Sequence, residues 1–394
     1  MTETWTLAAL WLGLALLASL LSIRLRIATA LSEIVVGAIA QLIIGAVIGG
    51  AALGAGESWV RFLAGTGAIV LTFLAGAELD PQVLRRKWKE STAVGLVSFA
   101  APFLGCAAIA RWGLHWSIEA SWLTGIAMST TSVAVVYAVM LEFGFNATEY
   151  GKTVLAACFI TDLATVLALG FIFSPFSYRT LVFFAGSVVA FAILPKLTPR
   201  FFKRYGNRPS ELEAKFILFC LFGLGGLAAW ADSEAVLPAY LMGMVLAGTV
   251  GKDHVLVRRL RTLTFGLLTP FYFIRAGSLV SMPALIAAPA PLLILLLGKV
   301  ACKIGGVYPI ARFYESPPRE ASYTTLLMST GLTFGTISAL FGLSHRVIDQ
   351  AQYSYLVAAV IGSAVIPTLI ANAFFLPRHL LPRPDEASPA GANP

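Results

Sequence analysis

"AMSTTSVAVVYAV", residues 127–139, sets four hydroxyl side chains in a row, Ser129, Thr130, Thr131 and Ser132, inside an otherwise apolar run. A partial echo, "LMSTGLTFGTISA", occupies residues 327–339, where Met128, Ser129 and Thr130 recur in register as Met328, Ser329 and Thr330. Hydroxyl side chains compete for backbone hydrogen bonds and weaken a helix from within. In lipid, freed backbone groups are tolerated only against protein or a water-filled cavity. For either run alone, close helix packing by Ser, Thr and Gly is sufficient explanation. Two runs at matched places in the two halves point instead to a pair of interrupted helices.

The surrounding composition supplies the membrane. Of 394 residues, 58% are hydrophobic and 12% are charged, about half the charged fraction of a soluble domain. Apolar stretches long enough to cross a bilayer recur along nearly the whole chain. They predict an all-α integral membrane protein of about thirteen transmembrane helices. The spans lie near 5–23, 28–51, 59–79, 91–110, 120–141, 153–173, 180–198, 212–230, 234–250, 262–281, 284–311, 321–343 and 352–376. The hydroxyl runs fall in the fifth and twelfth spans, which enter from opposite sides as inverted repeats require.

Charge placement tests the count. With the N-terminus outside, the cytoplasmic connections hold 21 of the 28 lysines and arginines and the outer ones four. Such an excess is the positive-inside signature. It predicts a multi-pass cell-membrane protein with its C-terminus in the cytoplasm. The net charge of +8 is then a topology signal with some attraction to anionic lipids, and calls for no nucleic-acid partner. "MTETW" lacks a basic leader, so the first apolar run reads as a retained helix. Cys106, Cys158, Cys220 and Cys302 all lie in spans, without CxxC spacing, and read as packing residues. No cofactor, disulfide or structural metal is expected. Residues 1–379 read as one transmembrane domain and 380–394 as a short disordered cytoplasmic tail, with no regulatory domain expected after it.

A mid-bilayer charge costs on the order of 3 kcal/mol and needs a reason. Asp162, in "LAACFITDLATVLALGF", is central to the sixth span and marks an ion or proton path. Lys299 and Lys303, in "LLLGKVACKIGGVYPIARF", are four residues apart on one helix face. Two buried ammonium groups so close predict that one of them snorkels or lines an aqueous route. Arg275, in "TPFYFIRAGSLV", needs a partner; Glu78 and Glu33, near the ends of their spans, are the candidates.

In combination, the stretches "FLAGTGAIVLTFLAGAELDPQVLRRK", "MSTTSVAVVYAVMLEFGF", "ACFITDLATVLALG", "LPAYLMGMVLAG", "TPFYFIRAG", "KIGGVYPIARF" and "LLMSTGLTFGTISALFGL" resemble, in order, the monovalent cation:proton antiporter-2 family. The resemblance implies a homodimer of thirteen-helix chains, with a core bundle that moves against a dimerisation bundle. It implies that Asp162 binds the cation, flanked by crossed, unwound segments at 129–132 and 329–333, with Lys303 nearby. Two features depart from the family pattern. Thr161-Asp162 stands where sodium/proton members carry paired acids, and Gly331-Leu332-Thr333 replaces an Arg-Gly-Glu-like signature. Glutathione-gated potassium-efflux relatives also lack the first acid, but carry a nucleotide-binding domain.

A hard monovalent cation needs oxygen ligands. Asp162 would supply charge, Thr161 a hydroxyl, and Ser129, Thr130, Thr131 and Ser132 carbonyls and hydroxyls, with Ser329, Thr330, Gly331 and Thr333 on the second interrupted helix. Lys303, Lys299, Arg275 and Glu78 would compensate or tune that charge. A carboxylate that holds either a proton or a cation, never both, couples their movements in opposite directions. The expectation is a secondary active transporter rather than an enzyme, exchanging Na+ or Li+ for protons, one for one and electroneutral. Potassium/proton exchange is the near alternative; a channel or a sodium-coupled organic-solute symporter is more distant. An intramembrane aspartyl protease would need a second central acid.

Overall fold

The computed structural model describes residues 2–25, 27–47, 53–77, 87–145, 148–173, 177–206, 208–231, 233, 235–314 and 316–381. The described residues are helical, without strands. The first half begins with α1 (Thr2–Leu25), α2 (Thr29–Val47), α3 (Ser58–Ala77) and α4 (Trp88–Ala108), which runs on through a π turn at Ile109–Gly113. A broken pair follows, α5 (Ile118–Ser129) and α6 (Val133–Glu142), then α7 (Glu149–Phe173) and α8 (Tyr178–Tyr205). Next come α9 (Leu212–Trp230), α10 (Val236–Leu246) and α11 (His254–Leu263), joined by a π turn to α12 (Thr269–Ser278). The chain closes with α13 (Met282–Ala287), α14 (Ala290–Phe313), a second broken pair α15 (Pro318–Met328) and α16 (Thr333–Ser344), and α17 (Gln350–Ile370).

Counting each broken or kinked run once, the described residues form thirteen successive helical segments in the order read from the sequence. Ten are long and apolar enough to cross a membrane. Of the rest, Thr29–Ile44 and Val236–Leu246 are apolar but shorter, and α11–α12 is interrupted by its π turn. One boundary differs from expectation. The eleventh span is not one helix from 284 but two, α13 and α14, because Pro289 and Pro291 lack the N–H groups that would carry the ladder across Ala288. The tail from 382 onward and Glu78 lie outside the described residues.

The helices sort into two groups. The first is built on α2 against α12 and α3 against α10, with α1, α8 and α9 outside them. Backbones approach closely in both pairs, Gly37 and Gly277 notching α2 into α12, and glycines likewise notch α3 and α10 into each other. A Cβ on Gly76 would overlap the Tyr240 carbonyl oxygen, and one on Gly243 that of Phe73. Such reciprocal notches are how membrane helices gain packing energy without a hydrophobic driving force. The second group is built on α4, which packs on α5, α7 and α14, together with α15, α16 and α17. The two meet where α10 touches α7 and where Tyr353 Oη of α17 donates to Ala276 O of α12 at 2.7 Å. Outward-facing side chains such as Leu181, Val188, Phe219 and Leu297 are large, apolar and exposed, as a lipid-facing surface requires.

Candidate functional site

Both hydroxyl runs unwind the helix by the same local chemistry. On the first, Ser129 Oγ donates to Ile126 O at 2.7 Å and Thr130 Oγ1 to Ala127 O at 3.1 Å. On the second, Ser329 Oγ donates to Thr325 O at 2.8 Å and Thr330 Oγ1 to Leu327 O at 2.7 Å. Side chains thus take carbonyls of the last helical turn, Thr130 and Thr330 in the same register, and the backbone leaves the helix. Thr130 is extended at ψ 151°, and Leu332 lies at φ −151° and ψ −75°. The two breaks then bond to each other: Ser132 N donates to Thr330 O at 3.1 Å and Thr131 Oγ1 to Met328 O at 2.9 Å. Half-helix α5 packs on α16, so the interrupted helices cross. Among the described residues, the carbonyls of Thr130, Thr131, Ser329 and Gly331 accept no hydrogen bond.

Asp162 lies beside this crossing. It is 2% exposed, and its Oδ1 is buried with no hydrogen-bond partner among the described residues. Thirteen residues into α7, it sits about 20 Å from the helix start at 1.5 Å per residue, near mid-bilayer. The same helix is fastened to both breaks: Thr165 Oγ1 meets Ser129 Oγ at 3.4 Å, and Cys158 Sγ donates to Met328 Sδ at 3.5 Å. The Thr161 hydroxyl is spent on backbone carbonyls, bonded to Gly95 O on α4 and to Ala157 O, each at 3.0 Å. Thr333 opens α16 on the far side of the second break.

The two lysines take one break each. Lys303 Nζ donates to Ser98 Oγ at 2.7 Å, to Ser129 O at 2.9 Å and to Thr131 Oγ1 at 3.1 Å. All three donors of an ammonium are used, and one of them holds the C-terminal carbonyl of α5, where the helix dipole is negative. Lys299 Nζ donates to Ser363 Oγ on α17 at 3.1 Å and lies against Gly331; a Cβ there would collide with it. Both side chains are fully buried, which corrects the expectation that one of them snorkels. The physical reason is that each finds polar groups inside the protein, Lys303 at the first break and on α4, Lys299 at Ser363 of α17. Lys303 bears electrostatically on Asp162 without closing an ion pair. The ion pairs among the described residues are peripheral, at Lys87–Glu90, Arg259–Glu211 and His379–Glu320.

Arg275 also departs from expectation. It is not paired with Glu33: its Nε donates to the Ala55 carbonyl at 2.9 Å, a neutral partner that a loop can offer as well as a carboxylate can. Tyr240 was not marked by any sequence signal. It is fully buried on α10, close enough to Asp162 to feel its charge, and its hydroxyl donates to Phe159 O at 3.0 Å. A cavity of about 260 Å³ opens at the Lys- and Arg-rich end of the bundle. Glu90, Glu149 and Glu320 line it, and it reaches Ala157, one turn before Thr161.

A buried carboxylate whose Oδ1 lacks a partner beside two crossed helix breaks is the kind of geometry that ion-coordinating membrane sites use. A family model described as "Sodium/hydrogen exchanger, transmembrane" matches residues 12–376. The chain belongs to the sodium/hydrogen exchanger family. Among curated relatives, the chain is similar to the glutathione-regulated potassium-efflux system protein KefC of Shigella flexneri serotype 5b (strain 8401), 26% identical over 399 residues. It is also similar to KefC of Enterobacter sp. (strain 638), 27% identical over 393 residues. Each match covers 94% of this chain and 60% of the relative's length, so the exchanger spans about three fifths of these proteins. Among solved structures, its fold is similar to the sodium proton antiporter MjNhaP1 from Methanocaldococcus jannaschii at pH 8, with TM-score 0.71 and 16% identity. That match covers 94% of this chain and 96% of the other. The chain is therefore a multi-span membrane protein of that family.

Proposed function

We propose that the exchanger moves Na+ or Li+ against protons by alternating access at Asp162, one for one and without net charge movement. The observation that carries this reading is the fully buried Asp162 carboxylate, whose Oδ1 lacks a partner, beside four free carbonyls of the crossed breaks. A cation bound there would replace its water with Asp162, those carbonyls and the hydroxyls of Ser129 and Thr130. A proton on the carboxylate removes the charge that holds the cation, so the two loads exclude each other. Lys303, with its donors committed to Ser98, Ser129 and Thr131, serves as a fixed counter-charge rather than a second carrier. That leaves one titrating group per cycle and makes the exchange electroneutral. The protein acts as a transporter and not an enzyme, in the cell membrane with its Lys- and Arg-rich end in the cytoplasm, and works as a homodimer.

Potassium/proton exchange is the second reading, and the similarity to potassium-efflux proteins favours it. A pH-gradient dissipation assay in proteoliposomes, with Na+, Li+ and K+ added in turn, decides between the cations. Asp162→Asn should abolish exchange with every cation. Exchange retained in that variant would overturn the site.

A further inference from the structure

One side chain of the first helix group grips both arms of the ion site. Tyr240 stands on α10, which the Gly76 and Gly243 notches lock to α3. Its hydroxyl donates to Phe159 O on α7, three residues before Asp162. Its ring meets Phe334 edge-on, with centroids 5.7 Å apart and planes at 89°. Phe334 is in the first turn of α16, directly after the second break. The contact thus spans from a rigid helix pair to the carboxylate-bearing helix and to the interrupted helix at once. We propose that Tyr240 is the positioning residue that latches the ion-binding bundle to the α3–α10 pair, and that this latch must open before the site can change sides.

The geometry makes the latch a two-state element. Phe159 lies inside α7, where its carbonyl already serves the helix ladder, so Tyr240 uses the second lone pair. The hydroxyl is buried, and leaving it unmade in the interior is costly. The edge-on ring contact is directional. Sliding α7 and α16 past α10 by even part of a helical turn cannot preserve both contacts, so they are lost together. Packed interfaces of this kind switch between discrete arrangements rather than deform continuously.

This inference rests on the exchanger reading, and its test is chosen to be independent of transport. Cys158 is buried on α7 next to Phe159, its thiol held by Met328 Sδ on α15, so its accessibility reports loosening of α7 from its neighbours. In the full chain with Cys106, Cys220 and Cys302 changed to alanine, its rate of modification by N-ethylmaleimide is measured. Tyr240→Phe, which keeps the ring, should raise that rate about fivefold, the factor for one lost neutral hydrogen bond. Phe334→Leu, which keeps the hydroxyl bond, should raise it as well. In proteoliposomes Tyr240→Phe should change maximal velocity and leave the cation KM within about twofold, since the ligands are untouched. Unchanged Cys158 labelling in both variants, each eluting as a single folded species, would overturn the latch. Exchange surviving Asp162→Asn would instead overturn the site and leave the labelling result standing.

Discussion

Gly331→Ala tests the geometry of the second break most directly. The new methyl would collide with Lys299 Nζ and would also stand 2.9 Å from Thr130 Oγ1 and 3.3 Å from Ser363 Oγ. Two relaxations are open to the protein. The break can shift, an overpacking cost of roughly 1–3 kcal/mol. Alternatively Nζ can withdraw and lose its bond to Ser363, a hydrogen bond to a charged group being worth about 1.5–3 kcal/mol. The cheaper route governs, so the variant should lose about 2 kcal/mol, read as a lower melting temperature in detergent together with slower exchange. Lys299→Met in the same chain removes the colliding ammonium and leaves a flexible side chain that can fill the remaining space. In that background the same Gly331→Ala change should cost less than about 1 kcal/mol, a non-additivity expected only for groups in contact. Equal destabilisation by Gly331→Ala in both backgrounds would refute the assignment of Lys299 to this break.

Thr161→Val should raise the cation KM less than about threefold while lowering stability by about 1 kcal/mol, because the hydroxyl is spent on Gly95 O; a tenfold KM rise would make it a ligand. Changing Glu90, Glu149 and Glu320 together to Gln removes the acidic mouth of the cavity. Cation KM should rise severalfold at low ionic strength and return toward wild type at about 0.5 M salt, since such attraction is screened; a salt-independent effect would contradict it.

The features legible beforehand were those written along the chain. Span order follows from apolar runs, and the breaks from hydroxyl and glycine clusters at 129–132 and 329–331, because a helix loses its ladder where local side chains compete for it. Asp162 stood out because a carboxylate flanked by apolar turns has no local use. Thr161 shows the limit. Its hydroxyl is spent on the Gly95 carbonyl of α4, a pairing of distant residues that the adjacent sequence does not encode. Arg275 was assigned a glutamate on charge alone, while the structure gives it the Ala55 carbonyl.

The sequence by itself determined the solvent, the helix order, the two interruptions and the buried acid, since each is a property of consecutive residues facing lipid or one another. Only the tertiary structure decided that both lysines are buried and serve separate breaks. Only it placed Tyr240 of α10 against both α7 and α16. Those outcomes depend on which faces of distant helices meet, and so on the rotation of each helix about its axis, which apolar composition leaves open when every face is greasy.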